Sequence, residues 1–258
     1  MNFYWVLNGQ RMKRFLLVTL AALFTAGIIY TEKDSMSVFT KMTAASGDQP
    51  EAIYNVETKE KRLSLTFDIS WGSERPGPIL DVLEKKGVTK ATFFLSAPWA
   101  EHHPEIVQRI KDLGFEIASH GHKHINYSRL KDDEIREQIL KADKTLKSLT
   151  GTTPTLIRPP NGDFDKRVLR IAEELGYKVV KWDTDSKDWI NPGVEKIVQN
   201  VVTKAHPGDI ILLHASDSSK QTHEALPKII DDLKGKGYEF VTVSELIAGV
   251  KSNVKQLD

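Results

Sequence analysis

From residue 61 onward the chain alternates short β-branched or aromatic runs with longer stretches of helical periodicity. Runs at 63–67, 91–95, 115–118, 155–157, 178–182, 210–213 and 239–241 predict strands, since short apolar runs rich in such residues suit buried strands. The clearest helix is predicted over 132–149, where Ile135, Ile139, Ala142, Leu146 and Leu149 step by four and three along one apolar stripe of a charged segment. Gly151 is placed to end it, and Gly87, Gly114, Gly176 and Gly237 each lead from a helical pattern towards the next strand. Such alternation predicts parallel strands joined by crossover helices. The strands suit either an open doubly wound sheet or a distorted, incomplete (β/α) barrel. No glycine-rich phosphate loop follows the first strand, which argues against a nucleotide cofactor and for the barrel.

Upstream the pattern changes. Arg11, Lys13 and Arg14 precede an uncharged apolar run, FLLVTLAALFTAGIIY at 15–30, which then meets Glu32, Lys33 and Asp34. The run is shorter than the ~20 residues of a full membrane span and longer than a signal-peptide core of about 7–15. Both readings export the remainder of the chain, because basic residues before the run hold the N-terminus in the cytoplasm. No small-x-small cleavage pattern comes directly after Tyr30, which favours an uncleaved anchor. The expected organisation is therefore a signal or anchor segment at 1–30, a polar extracytoplasmic spacer at 31–60, a barrel at 61–250 and a tail at 251–258. The protein is expected outside the cytoplasm, membrane-tethered or secreted.

Composition narrows the chemistry. With 36 basic and 35 acidic residues among 258, the net charge of +1 argues against a protein that works by coating nucleic acid or anionic membrane. The absence of cysteine removes disulfides, thiolate metal sites and thiol nucleophiles. Eight histidines and the carboxylates remain, and they are not scattered. Asp68 ends the first predicted strand, His120 and His124 come after the third, Arg158 after the fourth, Asp183, Asp185 and Asp188 after the fifth, and His214 after the sixth. Any one of these is ordinary as a helix cap or a surface partner. In a parallel barrel, however, all strand C-termini open onto one face, where barrel enzymes keep their sites.

The sharpest local feature is Ser119-His120-Gly121-His122-Lys123-His124. On a helical turn His120 and His124 would present both imidazoles to one side and share a divalent metal, with His122 pointing elsewhere. His102, His103, His206 and His223 read as solvated surface.

Together, TFD at 66–68, HGHKH at 120–124, RPPNG at 158–162, DTDSKDW at 183–189 and LLH at 212–214 resemble, in order and rough spacing, the NodB-homology polysaccharide deacetylases, carbohydrate esterase family 4. The likeness spans about residues 61–245, and TFDISWG with the N-terminal segment is most similar to the sporulation-associated deacetylases of spore-forming bacilli. The resemblance implies a distorted (β/α) barrel that removes N-acetyl groups from N-acetylglucosamine or N-acetylmuramic acid units of cell-wall glycan. It implies Asp68 as general base, His120 and His124 as metal ligands and Arg158 as the group orienting the base. A backbone N–H near Asn161 would hold the oxyanion, Asp188 would tune its neighbours, and Trp189 would wall the groove. His214 would be the general acid and Leu213 would line the pocket for the acetyl methyl. The implied cofactor is a divalent metal, zinc first, with cobalt or another ion as alternatives; the implied partner is acetylated glycan.

One position departs from the family. Its first motif carries two adjacent aspartates, the second a metal ligand, and here that position is Ile69. Three outcomes are open: a weaker site completed by water, a replacement ligand among Ser70, His122 and Asp68, or a protein that binds glycan without cleaving it. Trp71 would stack on a sugar ring or pack at the rim, and Trp99 is a further groove candidate.

Overall fold

The computed structural model describes residues 50–248 and 252–255. The expected anchor or signal segment lies outside the described residues, as does most of the expected spacer. No helix among the described residues is long and apolar enough to cross a membrane.

The first strand, β1 (Ala52–Val56), falls within the stretch expected to be spacer, and the folded unit begins at Pro50. After it come β2 (Arg62–Ile69), β3 (Thr92–Leu95), β4 (Glu116–Ser119), β5 (Leu156–Ile157), β6 (Lys178–Val179), β7 (Thr184–Asp185), β8 (Ile210–His214), β9 (Glu239–Phe240) and β10 (Ser252–Lys255). The seven runs expected from the sequence are all strands; β1, β7 and β10 are additional. One sheet runs in the order β6-β5-β4-β3-β2-β8-β7, with β9 paired to the start of β2 and every pairing parallel. It curls into an incomplete α/β barrel. The two ends of the path, β6 and β7, do not pair among the described residues, and β1 crosses the opening. Ile53 bridges Val180, Asn55 bridges Asp209, and the Val56 N–H donates to the Gly208 carbonyl at 2.8 Å. β10 pairs antiparallel with β1, within the stretch expected to be a C-terminal tail.

Strand alternation decides what faces the site. Along β2 the odd positions Leu63, Leu65, Phe67 and Ile69 pack outward, in one core cluster with residues of α1 (Pro76–Lys85) and of a later helix at Thr222–Gly235. The even positions Ser64, Thr66 and Asp68 face inward, and all three are buried. The remaining helices are α2 (Ala97–His102), α3 (Pro104–Asp112), α4 (Asp132–Thr150), α5 (Lys166–Glu174), α6 (Val194–Val202), α7 (the Thr222–Gly235 helix) and α8 (Val243–Ile247). In α4 the stripe expected from the sequence buries Ile135, Ile139, Ala142 and Leu146 completely, and each large aliphatic among them contributes about 1.5–3 kcal/mol. The helix stops at Gly151, which takes the left-handed conformation that satisfies the last carbonyls.

Candidate active site

Asp68 occupies the carboxyl end of β2, directly opposite His214 at the end of β8, while Thr66 and Leu212 form the next inward pair. Adjacent strands lie about 4.8 Å apart, so this register alone sets a carboxylate beside an imidazole. The other groups arrive from neighbouring strand ends: His120 after β4, Arg158 after β5 and Asp185 from β7. Asp68, His120, Asp185 and His214, together with Ser70, Trp71, His124, Asn161, Gly162, Trp182, Trp189, Leu212, Ser216 and Ser218, line a pocket of about 420 Å³.

Arg158 organises the floor. Its guanidinium is completely buried, and its donors find acceptors: Nη1 donates to Asp68 Oδ1 at 2.7 Å and to Thr66 Oγ1 at 2.9 Å, Nη2 to the Lys181 carbonyl at 2.8 Å, and Nε to the Val180 carbonyl at 3.4 Å. The guanidinium carbon lies 4.1 Å from the Phe94 ring centroid. Burial alone pushes the Asp68 carboxyl up, but the Arg158 charge, then His120 and His214, and the Arg158 hydrogen bond outweigh it and hold Asp68 below the usual carboxylate range. Asp68 is therefore an ionised base at neutral pH, with Oδ1 engaged by Arg158 and Oδ2 left towards the pocket.

His214 has its own carboxylate. Its Nδ1–H donates to Asp188 Oδ1 at 2.7 Å and its backbone N–H to Oδ2 at 2.7 Å, where the Thr222 hydroxyl also donates at 2.7 Å. Asp188 is fully buried and sits behind His214 rather than in the pocket. Burial lowers the His214 pKa, while the Asp188 charge and hydrogen bond raise it, and the net shift is upward. Nε2 is left for the pocket, and the upward shift favours a proton on it.

The His120–His124 segment is a bend rather than the helical turn expected from its spacing. The rings nonetheless approach to 5.5 Å between centroids. The bend is shaped from below: the Tyr127 hydroxyl accepts from His122 N–H, Gln138 Oε1 accepts from Lys123 N–H, and a Cβ at Gly121, with φ of +75°, would collide with that hydroxyl. Nδ1–H of His120 donates to the Arg158 carbonyl at 2.7 Å, which turns Nε2 towards Asp68 Oδ2, 3.9 Å away. Burial pushes the His120 pKa down to about 4, so Nε2 keeps its lone pair. His122 does not line the pocket, in keeping with its expected orientation.

Neutral His120 with its outer nitrogen tethered suits a metal ligand, and His124 can be a second. The third is missing. Ile69 points into the core, completely buried, and among the described residues no set of three or more His, Asp or Glu is arranged to hold a metal. The residues present therefore do not fit the three-ligand centre usual for catalytic zinc.

Other expectations need correcting. Leu213 lies in the outward core, and Leu212 lines the pocket in its place. The period-2 rule accounts for this, since Leu212 shares its face with His214. Trp99 is core, 4% exposed, with its indole N–H on the Gly72 carbonyl, whereas Trp182 reaches the pocket. Trp71 and Trp189 stand at the rim, 46% and 52% exposed, and Trp71 meets His124 edge-on at 5.1 Å. Asn161 lines the pocket in the left-handed region, φ 58°, and its N–H has no backbone partner among the described residues. Thr222, Gln138 and Tyr127 carry no motif signal; their parts emerge only from packing.

The profile of a family described as polysaccharide deacetylase matches residues 55–180. A peptidoglycan-N-acetylglucosamine deacetylase of Bacillus cereus is 38% identical over 197 residues, 75% of this chain and 92% of that protein. Among solved structures, a CE4 family pseudoenzyme from Bacillus anthracis is 34% identical and superposes with a TM-score of 0.72, covering 77% of this chain and 69% of its own. A mutant of that pseudoenzyme with restored enzymatic activity is 35% identical, with a TM-score of 0.72, covering 77% of this chain and 71% of its own.

Proposed function

Because the chain belongs to the polysaccharide deacetylase family, we propose that it hydrolyses N-acetyl groups on N-acetylglucosamine or N-acetylmuramic acid units of peptidoglycan-type glycan, outside the cytoplasm. The observation that supports this most directly is the pairing of Asp68 and His214 on adjacent strands, each backed by an opposite charge and both opening into one pocket. Trp71 and Trp189 give two exposed ring faces on which sugars stack.

The protein's own groups divide the reaction. Asp68 takes a proton from water, whose hydroxide adds to the acetyl carbon. The Asn161 N–H holds the resulting oxyanion. His214 Nε2–H passes its proton to the sugar nitrogen as the C–N bond breaks, giving acetate and a free amine. The proton transfers belong to the side chains, and no step is routed through a cation, for which His120 and His124 supply two ligands and the described residues no third. The full-length protein, incubated with chitin oligomers and peptidoglycan with and without Zn²⁺ or Co²⁺, is expected to release acetate above an Asp68→Asn control. Equal release by both would end this reading.

A second reading, a glycan-binding protein that does not turn its ligand over, is favoured by one specific observation: Ile69 stands where the third ligand is expected. The two separate in a Zn²⁺ titration. Ile69→Asp is expected to tighten Zn²⁺ binding at least about tenfold, or 1.4 kcal/mol, in calorimetry, provided the new carboxylate turns inward. His120→Ala should abolish the wild-type signal and His122→Ala should leave it. Unchanged affinity in Ile69→Asp would mean that the side chain at 69 keeps its direction into the core or that another group already fills the ligand position.

A further inference from the structure

Lys181 lies just after β6, and no motif singles it out. Its Nζ donates to the Gly162 carbonyl at 2.9 Å, lies 3.9 Å from the Trp182 ring centroid and 5.8 Å from that of Phe164. Among the described residues no carboxylate lies within ion-pair distance of it. A half-buried ammonium without a counter-ion is costly, and the cost registers as a pKa lowered to about 8, by burial first and then by the Arg158 charge, against the pull of Asp68, Asp163 and Asp185. A lysine that served only solubility would turn its head to water. This one turns inward, under the loop Pro160–Gly162.

That loop is strained. Asn161 and Gly162 are consecutive left-handed residues, with φ of 58° and 61°. For a non-glycine residue such a conformation costs on the order of 1–3 kcal/mol and persists only where the surroundings impose it. Three restraints do so: Gly162 N–H donates to the Pro159 carbonyl, the Asn161 amide to Asn126 Oδ1 at 2.7 Å, and Lys181 grips the Gly162 carbonyl. The fit is reciprocal, because a Cβ at Gly162 would meet Lys181 Nζ and the Trp182 ring. The backbone of Lys181 also holds the other half of the site: its carbonyl accepts from Arg158, and its N–H donates to the Ile53 carbonyl of β1 at 2.7 Å.

We propose that Lys181 is a positioning residue of the oxyanion-binding loop, its ammonium braced on Trp182 and fixing the Gly162 carbonyl so that the Asn161 N–H stays aimed into the pocket. The proposal rests on the deacetylase reading above. Lys181→Met keeps an unbranched apolar stem while removing the donor, the charge and the ammonium contact with Trp182. In the full-length protein it is expected to lower kcat for acetate release about 10- to 100-fold, somewhat less than outright loss of an oxyanion donor, with KM within about twofold because sugar stacking is untouched. Lys181→Arg, which restores a cationic donor, should recover most of the loss. A Met variant that turns over like wild type overturns the proposal. So does one in which kcat and KM change together and Arg gives no rescue.

A second measurement separates this from failure of the deacetylase reading. Sodium acetate, titrated while the Asn161 and Gly162 amide resonances are monitored, should shift both in wild type and at least about tenfold more weakly, or 1.4 kcal/mol, in Lys181→Met. If wild type releases no acetate but this difference appears, the deacetylase reading falls and the positioning role stands. No wild-type shift, or equal shifts in both proteins, overturns the positioning role. Should Met lower the unfolding midpoint by more than about 5 °C, Lys181→Gln, an uncharged donor of similar length, takes its place, with a kcat between those of Met and wild type expected.

Discussion

Replacing Arg158 with Met should reduce acetate release at pH 7 to the level of Asp68→Asn and destabilise the fold by about 3–5 kcal/mol, the usual cost of removing one partner of a buried ion pair. For a domain of this size that is roughly a 10 °C fall in unfolding midpoint. Both effects have one origin. In wild type the Asp68 carboxyl is held below its ordinary range, so the pair's stabilisation is fully present above an unfolded carboxyl pKa of about 3.9 and is lost only as pH falls through the lower folded value. Without Arg158, burial prevails and raises that pKa instead. The folded variant then binds a proton that the unfolded chain does not, and its stability rises as pH falls. The gap between variant and wild type should therefore narrow between pH 7 and pH 5 in urea titrations. A gap that widens, or a variant that keeps its turnover, would contradict the role given to Arg158.

The second large effect is expected at Asp188, which touches no substrate. Three donors converge on its two oxygens, from the His214 backbone, the His214 ring and the Thr222 hydroxyl. Asparagine offers one acceptor oxygen and one NH₂, so at least one donor would face another donor in a fully buried site. Asp188→Asn should also remove the charge that raises the His214 pKa. The expected result is a loss in kcat on the order of 10²–10⁴ at pH 7, the range for a displaced general acid. The pH profile is diagnostic. In wild type, activity should decline as pH rises through the elevated His214 value. In Asp188→Asn that decline should move to lower pH, because His214 loses its proton sooner. A variant that is merely slower, with an unmoved profile, would indicate a structural role alone.

How far these residues can be read from the sequence differs by position, for physical reasons. The helix at 132–150 is legible because a 3.6-residue stripe leaves little choice of face, and Asp68, His120, Arg158 and His214 because each stands at the end of a strand of a parallel sheet. Leu212 is equally legible from alternation, although the family resemblance points to its neighbour Leu213. The bend at 120–124 is not legible: its shape depends on the Tyr127 hydroxyl and Gln138, which come from separate elements. β1 and β10 are also hidden. AIYNV and SNVK are short and mixed, and each becomes a strand chiefly through a partner some 200 residues away, a pairing that no local window registers. Thr222 and Lys181 belong to the same class, since their contacts are set by packing.

The burial of Arg158 also bears on how a site of this kind would decay. If selection for turnover were relaxed, losing either Arg158 or Asp68 alone would cost several kcal/mol, so the pair would be retained as ballast long after it had stopped serving chemistry. His214 is different: its side chain is 21% exposed, and the proton-bearing edge of its ring has no partner among the described residues. Among the charged groups of this pocket, the intact, solvent-reaching edge of His214 is thus a better witness to a working past than the salt bridge beneath it.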